Sequence, residues 1–185
     1  MDLLLKESDF RGEIDVPGTE RSAVCEELAR FITQYEPQFF DDALGIDLAS
    51  DFYAAAAMDT IPAKWQLFID GGTWSDTHSL INNLPVTRRI KGIRYCAARF
   101  VYWHYLRNDA TLTAITGEVS QSAENASSVS GIQKQVTAWN NMSRELHELW
   151  LFLQYYKAGD DLQFPTFLRR LTSEWKFRRQ NTMGF

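Results

Sequence analysis

Apolar residues recur at intervals of three and four along two long stretches of the chain, which is the spacing of one side of an α-helix. Ile90–Asn108 is apolar on nearly every side, whereas Val129–Lys157 has a single apolar stripe. A helix without a polar face has to be covered on most sides, by its own domain or by a neighbouring subunit. The pattern therefore predicts two long helices, and we expect the first to contribute to a subunit–subunit surface.

Shorter helical patterns precede these two stretches. Apolar positions at helical spacing over 24–35 predict one helix, and Pro37 predicts an interruption after it, because proline lacks the N–H that an internal helical position needs. We expect a new helix over Glu36–Leu44, with this proline in its first turn. Two further short helices are predicted, over 47–57 and over Pro62–Asp70.

Polar and apolar residues interleave over 73–89, which is typical of strands rather than of a helix. We expect a small β-hairpin that turns at Asn82-Asn83, with Pro85 on an edge because proline has no N–H for the ladder. The polar connection Thr111–Ser128 is long for a link between helices. Loops of that length either serve a purpose or are disordered.

These elements predict an all-α fold, a helical bundle with two long helices, several short helices, a small β-hairpin and extended termini. Residues 1–18 lack periodicity and end in a turn signal around Pro17, so we interpret them as an extended N-terminal arm with a short turn at Ser8–Glu13. Residues 19–157 form the helical domain. Residues 158–185 hold a short helix, Pro165–Trp175, and a tail.

With 185 residues, of which 45% are hydrophobic, the chain is long enough for one domain with a sizeable core. No apolar run approaches the roughly 20 residues that cross a bilayer, and the charged residues after Leu5 leave no signal-peptide core. We therefore expect no membrane contact and a protein that stays in the cytoplasm where it is made. Cys25 and Cys96 are expected to be free thiols in that reducing compartment.

The net charge of −5 is unevenly distributed along the chain. Residues 1–70 carry −10, residues 71–157 carry +3 and residues 164–185 carry +4. An acidic front and a basic tail favour head-to-tail contacts between copies or partners over wholesale binding of nucleic acid.

Candidate catalytic and metal-binding residues are few. His147 lies between Glu145 and Glu148, but a zinc-protease motif needs a second histidine four residues later, and position 151 is leucine. We interpret this group as a solvated helix face and His104, between two aromatic residues, as a core or interface histidine. The sequence has neither a phosphate-binding glycine motif nor a nucleophile elbow. We expect no enzyme, no cofactor and no catalytic or metal site; an enzyme that uses His104 or His147 is the least favoured alternative.

The one stretch that interleaves aromatic and basic residues is 175–180. Such a segment can bind nucleic acid through phosphate contacts and base stacking, or it can anchor a protein interface, in which Trp, Phe and Arg are favoured. The interface is the preferred interpretation because the protein is acidic. The candidate partner-binding residues are Trp175, Phe177, Arg178, Arg179 and Phe185.

Several stretches between residues 20 and 157 have the residue order of one protein family. They are Tyr35-Glu36-Pro37 with the helix to Gly45, Lys64-Trp65-Gln66-Leu67-Phe68 before Gly71-Gly72, Ile90-Lys91-Gly92-Ile93-Arg94-Tyr95 with Val101-Tyr102-Trp103-His104-Tyr105-Leu106-Arg107, and the series Thr116-Gly117-Glu118-Val119, Ser122-Ala123-Glu124-Asn125-Ala126 and Lys134-Gln135-Val136-Thr137-Ala138-Trp139-Asn140. The chain resembles the head–tail connector (adaptor or neck ring) proteins of tailed bacteriophages, especially those from phages of Bacteroidetes. The last series is the most specific, and none of the stretches is a catalytic motif.

The resemblance implies a virion structural protein of the neck region. Such subunits form a ring, usually of twelve copies, under the portal protein, where the ring extends the DNA channel and joins the capsid to the next tail or neck protein. DNA would pass through the channel without sequence-specific binding, and residues 19–157 would be the connector domain. The family has no active-site residues to carry over.

Two segments are then expected to make contacts. In the polar connection between the long helices, the candidate residues for subunit or channel contact are Gly117, Glu118, Glu124 and Asn125, with the two carboxylates repelling DNA; the alternative is a disordered surface loop. The tail 176–185 is expected to dock onto the portal, and the alternative is that it folds back onto its own bundle. The competing function is a small helical nucleic-acid-binding or packaging accessory protein that uses the basic-aromatic tail.

Overall fold

The computed structural model describes residues 3–16, 21–81, 84–109, 111–114, 117–120, 131–165 and 167. Within these ranges two 3₁₀ turns, Glu7–Asp9 and Gly12–Ile14, precede five α-helices: α1 (Ser22–Leu44), α2 (Ile46–Ala56), α3 (Ala63–Asp70), α4 (Ile93–Asp109) and α5 (Gly131–Tyr155). The strands form three antiparallel pairs: β1 (Gly72–Ile81) with β2 (Leu84–Ile90), β3 (Thr111–Ala114) with β4 (Gly117–Ser120), and β5 (Lys157–Ala158) with β6 (Asp161–Leu162).

The predicted all-α class is wrong, because the strand pairs make this mainly helical chain a mixed α/β fold. The hairpin predicted over 73–89 is confirmed as β1 and β2, which pair in antiparallel register up to Ile81↔Leu84 and leave only 82–83 to connect them. Pro85 lies on β2, where a two-stranded ribbon offers an edge that tolerates its missing N–H.

The polar connection between the long helices is more than a loop. Its first ten residues contain β3 and β4, which pair in antiparallel register. The β-branched residues Thr111, Thr113 and Val119 account for the strands, since such residues favour extended structure. Residues 121–128, which include the candidates Glu124 and Asn125, lie outside the described residues.

α1 runs through Pro37 without a break, so the predicted start of a new helix at Glu36 is wrong. A proline in a helix interior leaves one carbonyl, here that of Thr33, without its donor and costs about 3 kcal/mol. Burial offsets that cost, because the rings of Phe39 and Phe40 just after the proline are fully inside the core.

α4 is the centre of the fold. The helices α1, α3 and α5 and the N-terminal segment pack around it. Its buried residues are Ile93, Cys96, Ala97, Ala98, Arg99, Phe100, Val101, Tyr102 and Trp103. The chain itself therefore covers the helix, and the missing polar face no longer gives a reason to expect a subunit surface there.

The N-terminal segment, residues 3–16, packs into the core instead of forming the extended arm expected from its missing periodicity. Glu36 of α1 holds its start, because the two carboxylate oxygens accept the backbone N–H groups of Leu4 at 2.7 Å and Leu5 at 2.8 Å. Short 3₁₀ turns show no helical period in a sequence. The segment contributes four buried side chains, Leu5, Phe10, Ile14 and Val16.

Beyond α5 the chain folds back onto the bundle. The ring of Phe164 packs 5.0 Å from that of Trp65 on α3, and Phe167 is also buried. These two aromatic residues of the C-terminal segment 158–185 therefore belong to the core. The remainder of the predicted helix Pro165–Trp175 and the candidate tail residues lie outside the described residues, namely Trp175, Phe177, Arg178, Arg179 and Phe185.

Candidate functional site

The β1–β2 hairpin is fixed to the bundle at its base by aromatic packing. Trp74 and Ile90 are buried, and the ring of Trp74 lies 5.7 Å from that of Phe152 on α5. His78 stacks on Tyr155 of the same helix, with ring centroids 4.1 Å apart and planes within 5°. These contacts hold the first strand against α5.

An ion pair between the buried Asp76 and the partly exposed Arg88 adds to this anchorage. Asp76, which has no solvent exposure, accepts Nε–H of Arg88 across the ribbon at 2.7 Å and the backbone N–H of His78 at 3.0 Å. Arg88 also lies 3.4 Å from Glu148 of α5, and the hydrogen bond to Asp76 raises the pKa of Arg88. Because a buried charge is tolerated only when it is paired, this network defines the geometry of the hairpin base tightly.

The acidic residues beside His147 are not the solvated face that the sequence predicts. Glu145 is buried and accepts the backbone N–H of Lys91 in the turn between β2 and α4. Burial raises the pKa of Glu145, and the hydrogen bond from Lys91 partly opposes that rise. His147 is half-buried, with Nδ1 2.6 Å from the carbonyl oxygen of Ser143. The carboxylates on this face of α5 therefore secure the hairpin.

The far end of the hairpin is exposed. Leu84, the first residue of β2, has 67% of its surface exposed, and Pro85 next to it is exposed as well. Both strands of a two-stranded ribbon are edge strands, and edges are where another chain can pair. The hairpin thus combines a fixed base with an exposed apolar tip.

The β3–β4 hairpin leaves the opposite end of α4. Gly117 and Glu118 lie on β4, in register with Ala114 and Thr113 of β3. They are the only predicted contact residues that fall in the described part of the chain. The 17 residues of α4 span about 25 Å, so the chain presents one ribbon at each end of its central helix.

α2 has an exposed face that the sequence reasoning missed. Ile46 and Met58, near its two ends, are 72% and 54% exposed. The acidic residues exposed on and just after this helix are Asp47, Asp51 and Asp59. Helical spacing could have revealed this face, because the apolar core positions that start at Leu48 leave these residues on the other side.

His104 lies in an aromatic cluster, with its ring stacked 3.7 Å from Tyr35 and set edge-on to Phe100 at 4.7 Å. Burial lowers the pKa of His104 to about 4, with a smaller contribution from Arg107. The imidazole is therefore neutral near neutral pH. Among the residues that the structure describes, no three His, Cys, Asp or Glu side chains are grouped so that they could hold a metal ion.

Within the described ranges, none of the helices combines the length and apolarity that crossing a membrane requires. The chain matches no protein family, no curated protein and no solved structure. Its function therefore has to be inferred from its own residues and surfaces.

Proposed function

We propose that the protein is a structural subunit of a head–tail connector ring that sits under the portal, extends the DNA channel and joins the capsid to the tail. The β1–β2 hairpin carries this proposal, because the Asp76–Arg88 pair fixes its base while Leu84 is exposed at its tip. An element that is ordered before it docks loses little conformational entropy on binding. The sequence resemblance to connector proteins supports the same role.

The two hairpins at opposite ends of α4 favour contacts between copies. In a heterologous contact, one surface of a subunit meets a different surface of the next copy. Such contacts close into a ring when the rotation from one copy to the next is a whole fraction of 360°. In this proposal the tip around Leu84 meets such a surface on the neighbouring copy. The β3–β4 hairpin, with Gly117 and Glu118, meets another copy or lines the channel, and the resemblance implies twelve copies.

The portal and the next tail or neck protein are the proposed partners outside the ring, which places the protein in the virion neck. The tail supplies the portal contact through Trp175, Phe177, Arg178, Arg179 and Phe185. The +4 charge of residues 164–185 would complement an acidic partner surface. Phe164 and Phe167 are already buried against the chain's own core, so the docking part of the tail starts after them.

Leu84→Asp tests the ring, because it adds a charge at the exposed tip without touching the core. When the protein is co-expressed with the portal protein of the same phage, we expect rings on the portal in negative-stain images. Leu84→Asp should give about tenfold fewer. Leu162→Asp is the matched control, since Leu162 is 45% exposed on β6 and should assemble normally. Wild-type numbers of rings from Leu84→Asp would refute the role of the hairpin tip.

A nucleic-acid-binding or packaging accessory protein is the competing function, favoured by the basic charge of residues 164–185. It predicts a DNA gel shift that weakens steeply with salt and is lost on truncation after Phe167. A connector predicts that the same truncation abolishes portal binding and that the full chain causes no such shift.

A further inference from the structure

A cavity of about 340 Å³ lies between the N-terminal segment, the end of α3 and the first half of α4. Four basic side chains line it: Arg11, Lys91, Arg94 and Arg99. Its volume falls in the range of sites that hold small ligands. Arg99 is buried and needs a partner for its charge, whereas Arg11 and Lys91 are exposed to solvent and are available to a ligand.

Carboxylates of the chain balance only part of this charge. Glu13 pairs with a terminal nitrogen of Arg99. The terminal nitrogens of Arg94 lie 3.9 Å from Asp9 and 3.6 Å from Asp70. These two distances are longer than a charge-assisted hydrogen bond, so Arg94 is only loosely paired.

Arg11 and Lys91 have no carboxylate within ion-pair distance in the described ranges. Nζ of Lys91 donates to the hydroxyl of Tyr95 at 3.1 Å and lies 4.4 Å from the centroid of that ring. Both Arg11 and Lys91 are exposed cations without a direct ion pair to a described residue, although the carboxylate of Glu145, which accepts the backbone N–H of Lys91, lies close enough to interact with the charge of that lysine. Apart from Tyr95, seven ionisable side chains line the cavity, four of them basic and three acidic. The lining therefore carries a net charge of +1.

The inner edges of the two arginines have unused donors. The Nε–H groups of Arg94 and Arg99 are buried, and neither has an acceptor among the described residues. Arg99 is only 4% exposed, and its guanidinium lies 3.3 Å from the centroid of the Tyr95 ring, which fixes its orientation. Because the two Nε atoms are buried, a ligand in the cavity would instead meet the terminal nitrogens of Arg94, whose side chain is 34% exposed.

We propose that this cavity binds an oxyanion group, a phosphate or a carboxylate, which accepts hydrogen bonds from the terminal nitrogens of Arg94 and is attracted by the charges of Arg11 and Lys91. Guanidinium groups suit such ligands because their fixed N–H directions match two oxygens of one oxyanion. The group belongs to a small molecule or to an acidic segment of a partner protein. The inference is independent of the proposed connector role.

Isothermal titration calorimetry of the full chain with inorganic phosphate and with citrate, at low salt, tests the site. We expect saturable binding of at least one of them, with affinity about tenfold weaker in Lys91→Gln and in Arg11→Gln, because each change removes one charge from the lining. Lys157→Gln is the matched control. It removes the same charge from an exposed position on β5 and should bind as the wild type does.

The anions also distinguish the source of the ligand. Binding of phosphate but not citrate assigns a phosphate-bearing molecule, and displacement of a bound anion by an Asp-rich peptide assigns a carboxylate of a partner protein. The proposal is overturned if neither anion binds at millimolar concentration. It is also overturned if Lys91→Gln, folded by circular dichroism, binds as tightly as Lys157→Gln.

Discussion

Tyr53 of α2 donates a hydrogen bond of 3.2 Å from its hydroxyl to the carboxylate of Glu36 on α1. The same carboxylate accepts the N–H groups of Leu4 and Leu5, so one side chain without solvent exposure joins α1, α2 and the N-terminal segment. Burial, with the nearby charge of Glu36, raises the pKa of Tyr53 above its ordinary value. The hydroxyl therefore stays protonated and remains a donor across the physiological range.

Replacing Glu36 should separate these roles. Glu36→Ala leaves the N–H groups of Leu4 and Leu5 and the hydroxyl of Tyr53 without their acceptor, so we expect the free energy of unfolding to fall by about 2–4 kcal/mol. Glu36→Gln keeps one acceptor oxygen and should cost about half as much. Urea denaturation measures both losses, and hydrogen exchange should show faster exchange at Leu4 and Leu5. An equal loss in both variants would mean that the acceptor oxygen retained by glutamine contributes little to stability.

Glu36 should also make stability depend on pH. Burial raises its pKa above the ordinary 4.5, and the hydrogen bonds from Leu4, Leu5 and Tyr53 only partly oppose the rise. The folded protein thus holds this proton more tightly than the unfolded chain does. The resulting stabilisation is complete below the pKa that Glu36 has in the unfolded chain. It is lost as the pH rises through the higher pKa that Glu36 has in the folded protein.

Glu36→Gln removes that titration. Relative to the variant, the wild type should therefore lose free energy of unfolding as the pH rises above the ordinary pKa of 4.5. Parallel urea titrations of the two proteins give this difference directly. The contribution of Glu145 to the pH dependence cancels, because both proteins contain that residue. If the wild type instead became more stable relative to the variant as the pH rises, the hydrogen bonds to Glu36 would affect its pKa more than burial does.

Gly92 lies where the turn into α4 crosses the end of α3. A Cβ atom there would stand 2.3 Å from the carbonyl oxygen of Ile69, and φ is +88°. Gly12 has a similar φ of +83° but nothing within 4 Å of its Cβ position. Both alanine variants carry the backbone strain, but only Gly92→Ala forces backbone atoms apart. We expect Gly92→Ala to lower the free energy of unfolding by about 2 kcal/mol more than Gly12→Ala, as measured by urea denaturation. Equal losses would mean that the backbone at the crossing moves apart at little energetic cost.

Pro37→Ala should stabilise the protein. It restores the N–H donor that the carbonyl of Thr33 lacks, although the unfolded chain gains some freedom at the same time. We expect the free energy of unfolding to rise by about 1–2 kcal/mol, measured by urea or thermal denaturation. Gln38→Ala, at the exposed next position, should change it by less than about 0.5 kcal/mol. A loss of stability in Pro37→Ala would indicate that the core is fitted to a bend at the proline.

Local periodicity predicts the elements that bury a regular face. The two long helices were expected over Ile90–Asn108 and Val129–Lys157 and are found within three residues of those limits, as Ile93–Asp109 and Gly131–Tyr155. The β1–β2 hairpin follows from alternation in the same way. In each case the signal lies within the segment itself, so one sequence is enough.

The structural features that the sequence did not predict depend on residues far away in the chain. Nothing near Leu4 indicates that Glu36, more than thirty residues later, accepts its N–H. Nothing near Glu145 indicates that it caps the turn at Lys91, and the burial that carries α1 through Pro37 comes from other helices. For the cavity around Arg99, the sequence shows four basic residues but not their convergence. Tertiary contacts, which local patterns do not encode, decide all of these features.

The spacing of these contacts along the chain sets an order for folding during synthesis. The Glu36 carboxylate meets Leu5 across 31 positions, Arg99 meets Glu13 across 86, and the indole N–H of Trp150 reaches the carbonyl of Ala43 across 107. A nascent chain can therefore join residues 3–16 and α2 to α1 early. The rings of Tyr35 and Phe39, which pack on Phe100, stay uncovered until α4 has left the ribosome. Closure over such long separations is slow. Until then, the aromatic side of α1 is the surface that a chaperone would have to shield.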